Sequence, residues 1–460
     1  MSSEREQNRL IFEEMPVPNA LLNMALPMVV SQLIVLVYNM ADTFFLGRTG
    51  NPLMVAGASL ILPVFNVCIA VANIAGTGGG TLIARLLGVN RIGEARKIAA
   101  FSFYFSIIVS FCFALCTAIF MTPLLNLLGA SEGTITYARQ YVTCVIIIGA
   151  VPTVLSMTLA NLLRNSGKAK QAGFGVSMGG IINIVLDPVF MFLLLPDGYQ
   201  ALGAGIATAL SNIIVCSYFL IIIFRMNSEI LSFSPKNGIP EAASIRSFFS
   251  VGLPAALGPF LFDIDYIIID RLASEYSDIA LAAIGIVLKV ERFPLNIGIG
   301  LCLGMVPLAA YNYSAGNYER MKDAVHCTRR MGTIIGIISI ILYELFAPYI
   351  IRFFIADAQT IELGSTFLRI RAIATIMMFN CFIYVHFFQA VGKGNISLWL
   401  IVLRWAVLNI PLLFILNRII GLNGIVWTQF VADTIAAFIS LLVYRHFESK
   451  ANNTTILNGG

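Results

Sequence analysis

ARLLGVNRIGEARK (residues 84–97) and, 225 positions later, AAYNYSAGNYERMK (309–322) decide the reading of this chain. Each is an apolar run that ends in a polar, Gly-bearing turn and closes on a lysine. A second pair of turns keeps the spacing: RNSGKAK (164–170), with Gly167-Lys168, and QAVGKGN (389–395), with Gly392-Lys393, again 225 apart. LGAGIATAL (202–210) and LNGIVWTQF (422–430) form a third pair at an offset of about 219, the difference falling in a shorter preceding loop. One offset shared by separate turns is the mark of an internal duplication.

The duplicated unit is hydrophobic. Of 460 residues, 58% are hydrophobic and 12% charged, with a mean hydropathy of +0.86. Soluble domains carry roughly twice that share of charge, so the solvent for much of this surface is lipid. A spanning helix needs about 20 mainly apolar residues. Twelve such segments are read, at about 20–46, 53–84, 98–121, 138–163, 171–195, 201–224, 247–270, 279–310, 331–350, 364–390, 395–417 and 423–444. The polar start, MSSEREQNRLIFEEMP, lacks the basic and short apolar regions of a signal peptide, so the first span is expected to direct its own insertion.

The fold class expected is therefore all-α integral membrane, with twelve transmembrane helices in two pseudo-symmetric six-helix lobes: an N-terminal lobe (1–224), a linker (225–246) and a C-terminal lobe (247–460). With six helices per half, both halves enter the bilayer in the same sense, related by an axis along the membrane normal. Nineteen of the 29 Lys and Arg residues fall on the side shared by both termini; the opposite loops hold Arg48, Arg139, Arg271, Arg352 and Arg418. Basic residues stay in the cytoplasm, which predicts cytoplasmic termini and a multi-pass protein of the cell inner (plasma) membrane. The eight cysteines show no CxxC or Cys/His clustering, so they read as small apolar fillers.

Ionisable groups inside the bilayer are costly and mark function. Within the first-half helices only Asp42 and Asp187 qualify. Counted from the cytoplasmic ends of their predicted helices, they lie roughly 33 Å and 24 Å along at 1.5 Å per residue, both in the outer half of the membrane. Two carboxylates brought together in such a medium hold a proton at neutral pH, or a sodium ion when ionised. Asn183 is one helical turn before Asp187; Tyr38 and Asn39 are one turn before Asp42. Pro188 deprives the Ile184 carbonyl of its helical partner, which predicts a kink and a hinge there. The second half holds more charge: Asp263, Asp265 and Asp270 in FDIDYIIIDR, Lys289, Glu291 and Arg292 in LKVERF, and Glu344, Arg371, Arg404 and Asp433. Internal pairing, for instance of Arg404 with an aspartate, is the plain alternative to a functional role. His386 is either a proton site or a structural group near the cytoplasmic end of its helix.

In order along the chain, YNMADTFFLG (38–47), GGTLIARLLG followed five residues later by EARK (79–97), NSGKAK (165–170) and NIVLDP (183–188) resemble the multidrug and toxic compound extrusion (MATE) family, and the resemblance covers nearly the whole chain. It implies an antiporter that exports lipophilic, mostly cationic drugs or toxic compounds in exchange for protons or sodium ions. It further implies an ion site at Asn183, Asp187 and Thr208, and matches Asp263 or Asp265 to an acidic position on helix seven. A flippase for lipid-linked saccharides, with a large basic cavity, is the alternative within related carriers. An intramembrane enzyme is the alternative outside them, but the sequence has no Walker A motif, nucleophile–base pair or metal cluster to support one. The expectation is thus a monomeric carrier with no cofactor and no nucleic-acid partner, working on small molecules among membrane lipids.

Overall fold

A computed structural model describes the backbone of residues 3–458 and the side chains of residues 4–450. Every element in it is helical. Ten helices are long and apolar enough to span a membrane, and two further spans are bent pairs, which makes twelve. They are α1 (Val17–Arg48), α2 (Pro52–Gly88), α3 (Ile92–Ile119), α4 (Ile135–Ile148 with Ala150–Asn165), α5 (Ala169–Leu194), α6 (Gln200–Met226), α7 (Ala242–Ser274), α8 (Asp278–Ser314), α9 (Tyr318–Phe354), α10 (Ala358–Ile373 with Thr375–Ala390), α11 (Gly394–Ile420) and α12 (Leu422–Lys450). α1–α6 and α7–α12 form the two lobes. The helices run into the expected linker from both sides, leaving 227–241 between Met226 and Ala242.

The duplication survives in backbone detail. α4 bends by 50° at Gly149 and α10 by 46° at Ala374, positions 225 residues apart. In α4 the cause is Pro152, which lacks an N–H and crowds the carbonyl four residues back, at Ile148. α10 has no proline near its bend, and nothing in the sequence there explains it. The turns after α4 and α10 close with Gly167 (φ 82°) and Gly392 (φ 78°), the left-handed cap that glycine adopts without strain.

Close approach of backbones joins the lobes. A Cβ on Gly252 of α7 would meet the Ile74 carbonyl of α2, and one on Gly78 of α2 would meet the Phe248 carbonyl of α7. A Cβ on Gly300 or Gly304 of α8 would meet the α1 backbone at Val29 or Ala25. Helices in lipid associate through small residues of this kind, because apolar surface alone gives them no reason to meet. These approaches lie in the half of the molecule nearest the termini.

A helical segment ahead of α1, Ser3–Arg9 continuing as Leu10–Glu14, straps the same side. From the N-terminal lobe, Lys168 Nζ donates to Gln7 Oε1 (2.6 Å). From the C-terminal lobe, the Tyr311 hydroxyl donates to Glu13 (2.6 Å), Asn312 Nδ2 donates to the Phe12 carbonyl (3.1 Å), and Arg320 donates to the carbonyls of Ile11, Phe12 and Met15. Phe12 is fully buried and stacks on Tyr311 at 4.8 Å.

Arg320→Ala removes three charge-assisted donors and leaves carbonyls without them, a loss of about 1–3 kcal/mol. The purified variant should melt a few degrees below the parent in a thermal scan; an unchanged Tm would mean the strap adds nothing to the closed arrangement.

Candidate functional site

α1 and α5 ascend side by side in steps of seven residues. On α5 the series is Gly173, Gly180, Asp187; on α1 it is Pro27, Ile34, Ala41-Asp42. A Cβ on Gly173 would meet the Pro27 carbonyl at 2.6 Å, and one on Gly180 would meet Ile34 Cγ2 at 2.7 Å and Tyr38 Cδ1 at 3.2 Å. Two glycines thus seat the helices backbone to backbone, and the next step brings Asp187 beside Asp42. α6 descends along the other flank of α5. Gly175 meets the Phe219 ring, Gly179 meets Val215, and one turn further out Asn183 reaches Thr208.

Asp187 is fully buried and Asn183 nearly so, while Asp42 is half-buried. Asn183 Nδ2 lies 3.5 Å from Asp187 Oδ1 and 3.4 Å from Thr208 Oγ1, donating weakly to both. Tyr38 lies beside both carboxylates. Asn39, next to Tyr38 in the chain, is exposed. Tyr141 of α4, which sequence reasoning missed, lies close to Thr208, Asp42, Asp187 and Tyr38. Its signal in the sequence was slight, a tyrosine near the outer end of a predicted span.

Three oxygens of this cluster are buried without a hydrogen-bond donor: Asp42 Oδ1, Asp187 Oδ2 and Asn183 Oδ1. An unsatisfied buried acceptor is destabilising by about 1–3 kcal/mol, more when charged. Two carboxylates, an amide oxygen and a hydroxyl are hard oxygen donors that accept a proton or a small cation. No lysine or arginine ion pair neutralises Asp42 or Asp187 among the described residues.

At Pro188, where a kink was expected, α5 stays within one span. The chain passes it at φ −64°, ψ −30° and continues as a π-helix, Val189–Leu194. The Val189 N–H that follows bonds to the Leu186 carbonyl.

The C-terminal lobe differs. Asp265 is buried and accepts from Asn409 Nδ2 at 2.6 Å. Asp263 faces the other lobe and accepts from Asn66 Nδ2 of α2, also at 2.6 Å, with Arg292 nearby. Arg404 pairs with Asp433 through two hydrogen bonds (2.6 and 3.0 Å) and lies over the Phe382 and Trp405 rings. Glu291 pairs with Arg371 at 2.7 Å, and Gln429 bonds to both. His386 Nδ1 is 2.8 Å from the Phe382 carbonyl of its own helix. Asn66, Glu291, Arg371 and Gln429 were not assigned partners from the sequence, because their pairings join helices far apart in the chain.

A membrane carrier of two pseudo-symmetric bundles, with an acidic cluster inside one of them, is the class that this geometry defines. The MatE family profile matches residues 27–189 and 254–415, one copy in each lobe. The chain therefore belongs to the MatE (MATE) family of transporters. It is similar to the multidrug export protein MepA of Staphylococcus haemolyticus (strain JCSC1435), at 30% identity over 95% of this chain and 96% of that one. MepA of Staphylococcus aureus (strain N315) is 29% identical with the same coverage. Among solved structures, one titled as MATE in complex with MaL6 superposes with a TM-score of 0.91 at 21% identity, over 98% of this chain and 100% of that one. An outward-facing multidrug resistance MATE family transporter superposes at 0.89 and 22%, over 98% and 99%.

Gly180→Leu should wedge α1 from α5 and separate the carboxylates. Overpacking of this kind costs typically 1–3 kcal/mol, so the purified variant should melt lower and lose any stabilisation that added sodium or lowered pH gives the parent. A variant that keeps that ion response would show that the close approach at Gly180 does not build the cluster.

Proposed function

We propose that this protein is an antiporter that exports lipophilic, mostly cationic organic molecules, drugs among them, in exchange for protons or sodium ions. The observation that carries the reading is the cluster of unsatisfied buried oxygens on Asp42, Asn183 and Asp187, in one lobe of a two-lobe carrier. The ion is held by Asp42, Asn183, Asp187 and Thr208, with Tyr38 and Tyr141 as flanking hydroxyls and Asn39 as a support for Tyr38. The MepA relatives are named as multidrug export proteins, which agrees with drugs as cargo. The carrier sits in the plasma membrane with both termini in the cytoplasm, as its loop charges favour. It works as a monomer of lobes 1–224 and 247–460 joined by 225–246, without a cofactor.

Exchange needs each ligand to bias one conformational equilibrium in opposite directions. The glycine contacts and the strap belong to a form closed on the side of the termini. Neutralising the acids by a proton or sodium ion removes the repulsion between α1 and α5 and lets the outer part of that lobe repack. The π-turn after Pro188 is the place where α5 yields. Deprotonated carboxylates also attract a cationic drug directly, so ion entry displaces it. Asp263, facing the other lobe beside Asn66, is the C-terminal group placed to meet cargo; Asp265 serves its own lobe through Asn409. A flippase for lipid-linked saccharides would need a basic interior, and the interior between α1, α5 and α6 is acidic.

The test is efflux of a fluorescent lipophilic cation from reconstituted vesicles under separately imposed proton and sodium gradients. One of the two gradients should drive efflux. Asp187→Asn should lower the driven rate by about tenfold or more, in the range of ordinary coupling energies, at unchanged expression. Parent-like pumping by Asp187→Asn would refute the coupling assignment.

A further inference from the structure

α9 enters the membrane through a basic face. His326, Arg329, Arg330, Thr333 and Ile334 line a cavity of about 510 Å³ on the side of the molecule that bears the termini. Their spacing of three and four residues places them on one helix face. The same face continues outward through Ile338, Ile341 and Leu345, all exposed. Only 17% of the apolar window of α9 is buried within the protein, so this stripe is covered by acyl chains.

The bases stand where that stripe begins. Arg329 donates to the Tyr384 hydroxyl of α10 at 3.4 Å. Among the described residues no carboxylate forms an ion pair with Arg329 or Arg330, although Asp323 lies on the same helix. Elsewhere on this side some bases do find carboxylates: Arg91 pairs with Glu241 and Arg5 with Glu229. Two guanidiniums and an imidazole around a cavity, directly above an exposed aliphatic track, match a molecule with a phosphate at one end and acyl chains at the other.

We propose that this face of α9 is a binding site for an anionic phospholipid of the leaflet on the side of the termini. The phosphate sits among His326, Arg329 and Arg330, and the acyl chains run along Ile334, Ile338, Ile341 and Leu345. Guanidinium forks suit phosphate oxygens, and basic pockets at this depth recognise acidic head groups. Because Arg329 also touches Tyr384, an occupied site ties α9 to α10 and stiffens the C-terminal lobe.

The test uses purified full-length protein in a neutral detergent, with thermal stability followed against added short-chain phosphatidylglycerol. Parallel titrations use short-chain phosphatidylcholine and inorganic phosphate. Phosphatidylglycerol should raise the Tm saturably, and neither of the others should. Each base near an acidic head group is worth about fivefold in affinity, so R329Q/R330Q should bind roughly thirtyfold more weakly. R352Q, at the opposite end of the same helix, should bind like the parent. Should the double variant not fold, R330Q alone removes an exposed side chain and should weaken binding about fivefold. An equal Tm rise with phosphatidylcholine, saturation by inorganic phosphate, or parent-like affinity in R330Q would each overturn the proposal.

Discussion

A carboxylate in hydrocarbon is the constraint on which this structure turns. A charge at the bilayer centre costs at least about 2.5 kcal/mol on insertion scales, and a buried acid must therefore be paired, protonated or occupied by an ion. The two lobes answer this differently. The C-terminal lobe supplies arginines for two of its buried acids: Asp433 holds Arg404 and Glu291 holds Arg371, while Asp265 is held by the Asn409 amide. Among the described residues no arginine or lysine forms an ion pair with Asp42 or Asp187. Asp42 and Asp187 are left with an amide, a threonine and two tyrosines as neighbours. The two halves of a duplicated fold thus differ in how their buried acids are partnered.

The glycines of α5 follow from the same constraint. Carboxylates interact only if their helices approach closely, and Gly173 and Gly180 remove the Cβ atoms that would hold α1 away. Gly175 and Gly179 do the same for α6, which brings Thr208 to Asn183. Glycine in a helix sacrifices propensity, and in α5 the loss is offset by contacts that set the spacing of the cluster. Between the lobes, Gly78, Gly252, Gly300 and Gly304 perform the corresponding service for the closed side.

Much of this was legible in the sequence. The number of spans, the duplication and the isolation of Asp42 and Asp187 come from hydropathy, a constant offset and the scarcity of intramembrane charge, all local properties of the chain. Heptad spacing of Gly173, Gly180 and Asp187 was also there to be read, and would have predicted which face of α5 meets α1. Other features were not legible because they depend on neighbours distant in sequence. Tyr141 becomes part of the cluster only when α4 bends against α6. The bend of α10 at Ala374 has no proline to announce it. Pro188 announced a kink; the π-helix Val189–Leu194 that follows it had no signal of its own in the sequence. Asn39 lies one turn before Asp42, as Tyr38 does, yet it is exposed, which helical spacing alone did not reveal.

The central claim is that ion and drug compete through the N-terminal acids. It is tested most directly by the affinity of the purified protein for a lipophilic cation and for a neutral drug of matched shape, each measured across pH and sodium concentration, in the parent and in an Asp42→Asn/Asp187→Asn variant. The account predicts that protons or sodium weaken binding of the cation to the parent by roughly 5- to 150-fold, the span of ordinary coupling energies, and that the variant loses this dependence. Weakening of the neutral drug as well would identify repacking of the lobe as part of the coupling; weakening of the cation alone would assign it to direct competition. Affinities in the parent that ignore both ions, for both drugs, would contradict the account.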